Sequence, residues 1–254
     1  MGGIIVELII SWLLLWFISK KHLSVLGFKP TKNRVANLGI GLLFAASCCA
    51  IYQIMTTSFA NNSWTLNNQV SGNAILENSK SALISVLYEE LIFRGALLYI
   101  AIRIIGATKA CILSAICFGI YHWFTFNVFG NPFMMVMVFL MTAIVGFSWA
   151  LAFAKTGSLY LPIGLHFGWN YIQTVVFSNG YYGQQILIRT NENKTQGILM
   201  WLAFLFQVFA LPLLIFWYLD WLSKKQKALV DKEQQPVTRV LPIVELDIEN
   251  NQQR

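Results

Sequence analysis

The chain has 254 residues, of which 57% are hydrophobic and 11% charged. Soluble domains carry about 25% charged residues, so this composition excludes a soluble globular protein and describes one that crosses a membrane several times. The net charge of +7 does not signal nucleic acid, because most Lys and Arg fall in short loops and the tail, where positive-inside topology puts them.

A span needs about 20 apolar residues to cross a hydrocarbon core about 30 Å thick. Seven runs meet or approach that length: 3–19, 36–59, 81–102, 107–126, 132–154, 158–178 and 197–222. The expected fold class is therefore all-α, a polytopic membrane helix bundle of about seven transmembrane helices. The first run begins at Ile4 with no Lys or Arg before it and is flanked afterwards by Lys20 and Lys21, so a retained span rather than a cleaved leader is expected. Val6 stands where a myristoylation signal has Ser or Thr. The next segment, with Leu23, Val25, Leu26 and Phe28 among basic residues, suits an amphipathic turn at the membrane surface.

Lys20, Lys21, Lys29, Lys32 and Arg34 mark that loop as cytoplasmic. Alternation from there places the N-terminus outside and the C-terminus inside. Arg103, Lys109, Lys155, Lys224, Lys225 and Lys227 then all fall inside, while the outer segments 60–80 and 179–196 hold Lys80, Arg189 and Lys194. The chain divides into N-terminal spans with a basic loop (1–80), a polar-cored bundle (81–178), a last span (179–222) and a polar tail (223–254). The tail lacks the apolar area to fold alone and reads as disordered or surface-lying. Cys48, Cys49, Cys111 and Cys117 have no CxxC spacing and read as small buried hydrophobes.

Ionisable residues in the spans are the strongest signal. Between Glu77 and Glu192 the acids are Glu89 and Glu90 alone, and Arg94 follows them in the same apolar run. Each such group costs roughly 2.5–3.5 kcal/mol on insertion scales, a penalty on the order of 10 kcal/mol for all of them before pairing. Adjacent helical residues point about 100° apart, so Glu90 can pair with Arg94 one turn on while Glu89 faces elsewhere. The next run carries Phe118-x-x-x-His122, which sets an aromatic beneath the imidazole. A later one carries His166-x-x-x-Asn170 on one face, with Gly164 and Gly168 as a small-residue stripe that admits a close helix neighbour.

Together these give a carboxylate, two imidazoles and a carboxamide. Glu89, His122 and His166 are a ligand inventory for one divalent metal such as zinc. The same groups also serve without metal, Glu89 deprotonating a water while the histidines and Asn170 bind a carbonyl oxygen. Both readings predict hydrolysis of an acyl bond.

The ordered trio Glu89-Glu90-x-x-x-Arg94, Phe118-x-x-x-His122 and His166-x-x-x-Asn170 resembles the signature of the CAAX protease and bacteriocin-processing family, also called type II CAAX prenyl endopeptidases. The likeness covers roughly residues 81–178. It implies a catalytic set of Glu89, His122, His166 and Asn170, with Glu90 and Arg94 in support, and an intramembrane endopeptidase acting on a membrane-associated peptide or protein. Both a metalloprotease and a metal-free glutamate mechanism have been argued for the family, whose members trim prenylated C-termini or serve peptide processing and bacteriocin immunity. No His-Glu-x-x-His or Gly-x-Ser-Gly stands in the chain. Two other classes remain: an ion- or proton-coupled transporter, disfavoured because the polar residues form one set without a second copy, and a non-enzymatic immunity protein.

Overall fold

A computed structural model describes residues 2–177 and 185–234, with the side chains of 232–234 left aside. The chain divides into two compact units, residues 1–219 and 220–254. The first unit holds the bundle. It contains α1 (Gly2–Leu14, continued by a π-turn over Leu15–Ser19), α2 (Lys32–Phe59), β1 (Trp64–Leu66), α3 (Gly72–Arg94), α4 (Ala96–Ile105), α5 (Ala107–Thr125), α6 (Pro132–Thr156), α7 (Tyr160–Tyr171, continued by a π-turn over Ile172–Val176) and β2 (Leu187–Arg189). The last helix, α8 (Gly197–Gln234), begins in this unit.

The helix starts follow from local chemistry. Thr31, Ser71 and Asn131 each accept a backbone N–H three residues on, from Arg34, Ala74 and Met134, and Pro132 occupies the first turn of α6. Among the described residues, five helical stretches are long and apolar enough to cross a membrane: Gly2–Ser19, Lys32–Phe59, Ala107–Thr125, Pro132–Thr156 and Gly197–Asp231. The remaining expected runs, 81–102 and 158–178, are the ones that carry charge or His166, and both differ from a single uninterrupted span. The first breaks at Gly95, directly after Arg94, where a Cβ would collide with the carbonyl oxygen of Leu91, so the backbone at the break admits glycine only. The second is a short helix prolonged by its π-turn.

The small-residue stripe does what its spacing predicts. At Gly164 and Gly168 an added Cβ would meet the backbone of Leu38 and Leu42, and at Gly41 it would lie 2.9 Å from the carbonyl oxygen of Leu161. So α2 and α7 meet backbone to backbone, and α7 makes its most extensive packing there. The basic loop is less superficial than a surface turn. It forms a 3-10 helix over Leu23–Leu26 with Leu26 fully buried, whose carbonyl accepts the N–H of Leu159 at 3.2 Å. At the other end of the bundle, β1 and β2 pair antiparallel with Trp64 opposite Arg189, a sheet the sequence reading did not include. Cys48, Cys49 and Cys111 are buried as expected, but Cys117 is exposed on the outer surface of α5.

In the second unit, residues 220–234 continue as helix, so the start of the tail is ordered rather than unfolded. Asp220 accepts from Lys224 one turn on at 2.6 Å, and the ammonium of Lys225 lies 5.1 Å from the ring centroid of Trp221. Residues 235–254 of the expected tail lie outside the described residues.

Candidate active site

The three motifs lie on α3, α5 and α7 and converge on one place. Glu89 and Glu90 end one turn above the Gly95 break, and they diverge as their spacing requires. Glu90 and Arg94 are fully buried, and Arg94 donates from Nη1 to Glu90 Oε1 at 3.1 Å. A second donation runs from Arg94 Nη2 to the carbonyl oxygen of Gly146 on α6, at 3.3 Å. The guanidinium also lies over the Phe118 ring, 4.1 Å from its centroid, with Trp149 at 5.3 Å. Glycine at 146 is needed for this approach, because a Cβ would come within 2.7 Å of Phe118 and 3.2 Å of Arg94 Nη2.

Glu90 has a further partner that spacing alone does not reveal. His166 Nδ1 lies 2.8 Å from the same Oε1 that Arg94 engages. A carboxylate oxygen accepts, so the imidazole donates through Nδ1 and turns Nε2 toward Glu89. His122 is held in the same way: Nδ1 lies 2.8 Å from the carbonyl oxygen of Phe118, one turn earlier on α5, and that oxygen can only accept. The Phe118 ring packs against His122 at 4.4 Å between centroids, as the motif spacing predicts.

Glu89 Oε2 thereby faces both free ring nitrogens, 3.9 Å from His122 Nε2 and 3.8 Å from His166 Nε2. These separations exceed a direct hydrogen bond and leave room for a bridging water. Oε2 is itself buried and has no donor from the protein, an arrangement that costs free energy unless something fills the gap. Oε1 is held loosely by the Ser85 hydroxyl at 3.5 Å. Glu89, His122, His166 and Asn170 all line one cavity of about 460 Å³, together with Trp149, Trp169 and Gln173. Every sequence-expected member of the set is brought together there, and Glu90 and Arg94 lie behind it.

Two contributors escaped the sequence reading. Trp149 on α6 stacks on His166, with ring centroids 4.4 Å apart and planes 31° apart, and belongs to no motif. Ser85 was visible as the residue one turn before Glu89 on the same helix face.

Zinc takes oxygen and imidazole ligands at about 2.0–2.1 Å, which sets tetrahedral ligand atoms roughly 3.3 Å apart. Glu89, His122 and His166 are the right ligand types, with both Nδ1 atoms already engaged as second partners. Their 3.8 and 3.9 Å spacings are wider, and among the described residues no group of three or more His, Cys, Asp or Glu side chains is set closely enough to hold a metal ion.

A helical membrane bundle with a carboxylate, two oriented imidazoles and a carboxamide around an internal cavity has the makings of a hydrolase. Residues 74–172, from the first turn of α3 to the end of α7, match the family model described as Type II CAAX prenyl endopeptidase Rce1-like. That is the family the three motifs resemble, so residues 74–172 are similar to the membrane proteases of the CAAX type. No curated protein and no solved structure matches the chain.

Proposed function

We propose that the protein is an intramembrane endopeptidase that cleaves a peptide bond of a membrane-associated peptide or protein, with Glu89 as general base. The observation that supports this reading most strongly is the buried, unpartnered Oε2 of Glu89 between two oriented imidazoles on a shared cavity. A water there donates one proton to Glu89 Oε2 and the other to an imidazole Nε2, leaving its lone pair for the substrate carbonyl. Glu89 takes the proton as the water oxygen bonds to carbon. Asn170 offers its amide N–H to the oxyanion, and Glu89 passes its proton to the amine as the C–N bond breaks.

If a divalent ion is resident, Glu89, His122 and His166 would hold it, and it would supply Lewis-acid polarisation of water or carbonyl. Purified protein is assayed for stoichiometric metal, stripped with a strong chelator and retested. Unchanged cleavage by metal-free protein supports the glutamate reading, and loss restored by zinc overturns it. The substrate is sought by comparing membrane proteomes of wild-type and Glu89→Gln cells. A peptide that accumulates uncut in the variant identifies it, and identical proteomes count against proteolysis.

The reading includes an orientation, with the Lys20–Arg34 loop and the C-terminus cytoplasmic. In a background lacking the native cysteines, a cysteine at Asn68 should react with an impermeant thiol reagent in whole cells while one at Asn33 stays protected. The reverse pattern inverts the topology.

A further inference from the structure

The cavity that holds Glu89 adjoins a second and larger one, of about 680 Å³. Gln173 and Gln207 line both, so these side chains form the neck between them. Gln173 lies three residues beyond Asn170, in the π-turn that prolongs α7. Gln173 is held in place by its neighbour, since Trp169 donates from Nε1 to Gln173 Oε1 at 2.7 Å.

The second cavity lies at the end of α2 remote from the basic loop, among Tyr52, Gln53 and Thr56, and is closed by the chain that follows β2. Its volume is that of a ligand site, about 300–1,000 Å³. Its lining is not that of an apolar packing defect. Arg189 and Lys194 bring two cations against the single acid Glu192. Gln53 is 3% exposed, yet its amide nitrogen Nε2 finds no acceptor in the protein. A buried donor left unpaired costs free energy, a cost that an incoming acceptor removes.

We propose that this cavity is a substrate subsite, which receives a carboxylate carried by the polar segment of the peptide whose scissile bond lies at Glu89. This rests on the endopeptidase reading and adds a specificity determinant to it. The membrane-embedded stretch of the peptide reaches the catalytic cavity, the chain passes Gln173 and Gln207, and its anionic group meets Arg189, Lys194 and the Gln53 amide. The carboxylate comes from an acidic side chain or from the chain terminus. Both present the same two oxygens, so the donors alone do not separate them.

The test uses full-length protein in lipid nanodiscs and a fluorescent peptide with one apolar span and a glutamate-containing polar end. Matched peptides carry glutamine in place of glutamate, or an amidated C-terminus. Binding is read by anisotropy on Glu89→Gln protein, and cleavage on the active enzyme. A charge-assisted hydrogen bond contributes about 1.5–3 kcal/mol, so the Arg189→Gln, Lys194→Gln double variant should weaken binding of the carboxylate peptide about tenfold or more. The same variant should raise KM without lowering kcat, and leave the peptide lacking the relevant carboxylate unaffected. Whichever neutral peptide loses the effect names the source of the carboxylate. Gln53→Leu removes an unpaired donor and should fold at least as well, yet it too should bind the carboxylate peptide more weakly. Equal binding of charged and neutral peptides by both proteins overturns the subsite. Carboxylate-dependent binding with no cleavage by the active enzyme supports the subsite and overturns the protease reading instead.

Discussion

Glu89 and Glu90 are consecutive residues on one helix, and the two sides of α3 that they face are built on opposite principles. On the Glu90 side, Arg94, His166 Nδ1, the Gly146 carbonyl and the Phe118 ring close around the charge. On the Glu89 side, the nearest groups stand back at 3.5 to 3.9 Å and the surface belongs to a cavity. Buried charge is retained on the first side because it is paired, and on the second because something must be able to arrive. A pair of adjacent carboxylates in a span thus divides into one that fixes geometry and one kept available for chemistry.

The widest separation between the two sides should come from Glu89→Gln. Loss of a general base costs ~10²–10⁴ in rate. Membrane abundance should stay near wild type, because the amide removes a buried charge. Full activity of the purified variant would falsify the role of Glu89.

Arg94→Ala should reverse that pattern. Breaking a buried pair by removing one partner costs about 3–5 kcal/mol, so abundance and thermal stability in detergent should fall sharply. A variant as stable as wild type would mean that Glu90 does not depend on Arg94.

A milder blow to the same side is Gly146→Ala, which pushes a methyl group against Phe118 and Arg94. Overpacking of this kind costs about 1–3 kcal/mol. Its melting point should lie between those of Arg94→Ala and wild type, and a neutral result would show that α6 can shift away. Smallest of all, Ser85→Ala removes a hydroxyl at the edge of hydrogen-bonding range from Glu89 Oε1. A net hydrogen bond contributes ~0.5–1.5 kcal/mol, so the rate should change about 2- to 10-fold with stability unchanged. A loss as large as that of Glu89→Gln would make Ser85 part of the reacting set.

Much of the site could be read from the sequence, because each motif repeats one turn apart and a helix turns that spacing into a shared face. Glu90 with Arg94, Phe118 beneath His122, and the Gly164 and Gly168 contact with α2 all follow from that rule. The bond between Glu90 and His166 does not, since it joins residues 76 apart in the chain and depends on how α3 and α7 are juxtaposed. Trp149 was hidden for the same reason. The β1–β2 pair joins two three-residue strands through partners such as Ser63 and Thr190, 127 residues apart, and strands so short carry no alternation to detect. The break at Gly95 was masked by uninterrupted hydrophobicity on both sides: apolar composition reports what a segment is immersed in, not whether its backbone continues.

The glycine contact between α2 and α7 also has a mechanical consequence. With 28 residues, α2 is about 42 Å long, against a hydrocarbon core about 30 Å thick, so it accommodates the difference by leaning or by projecting from the bilayer. Side chains usually cushion such a lean, but here main chain rests on main chain and nothing soft lies between. Whatever angle the lipid imposes on α2 is handed to α7, and with it to His166 and Asn170. Bilayer thickness is therefore an input to the distances around Glu89, and acyl-chain length becomes a dial on the site.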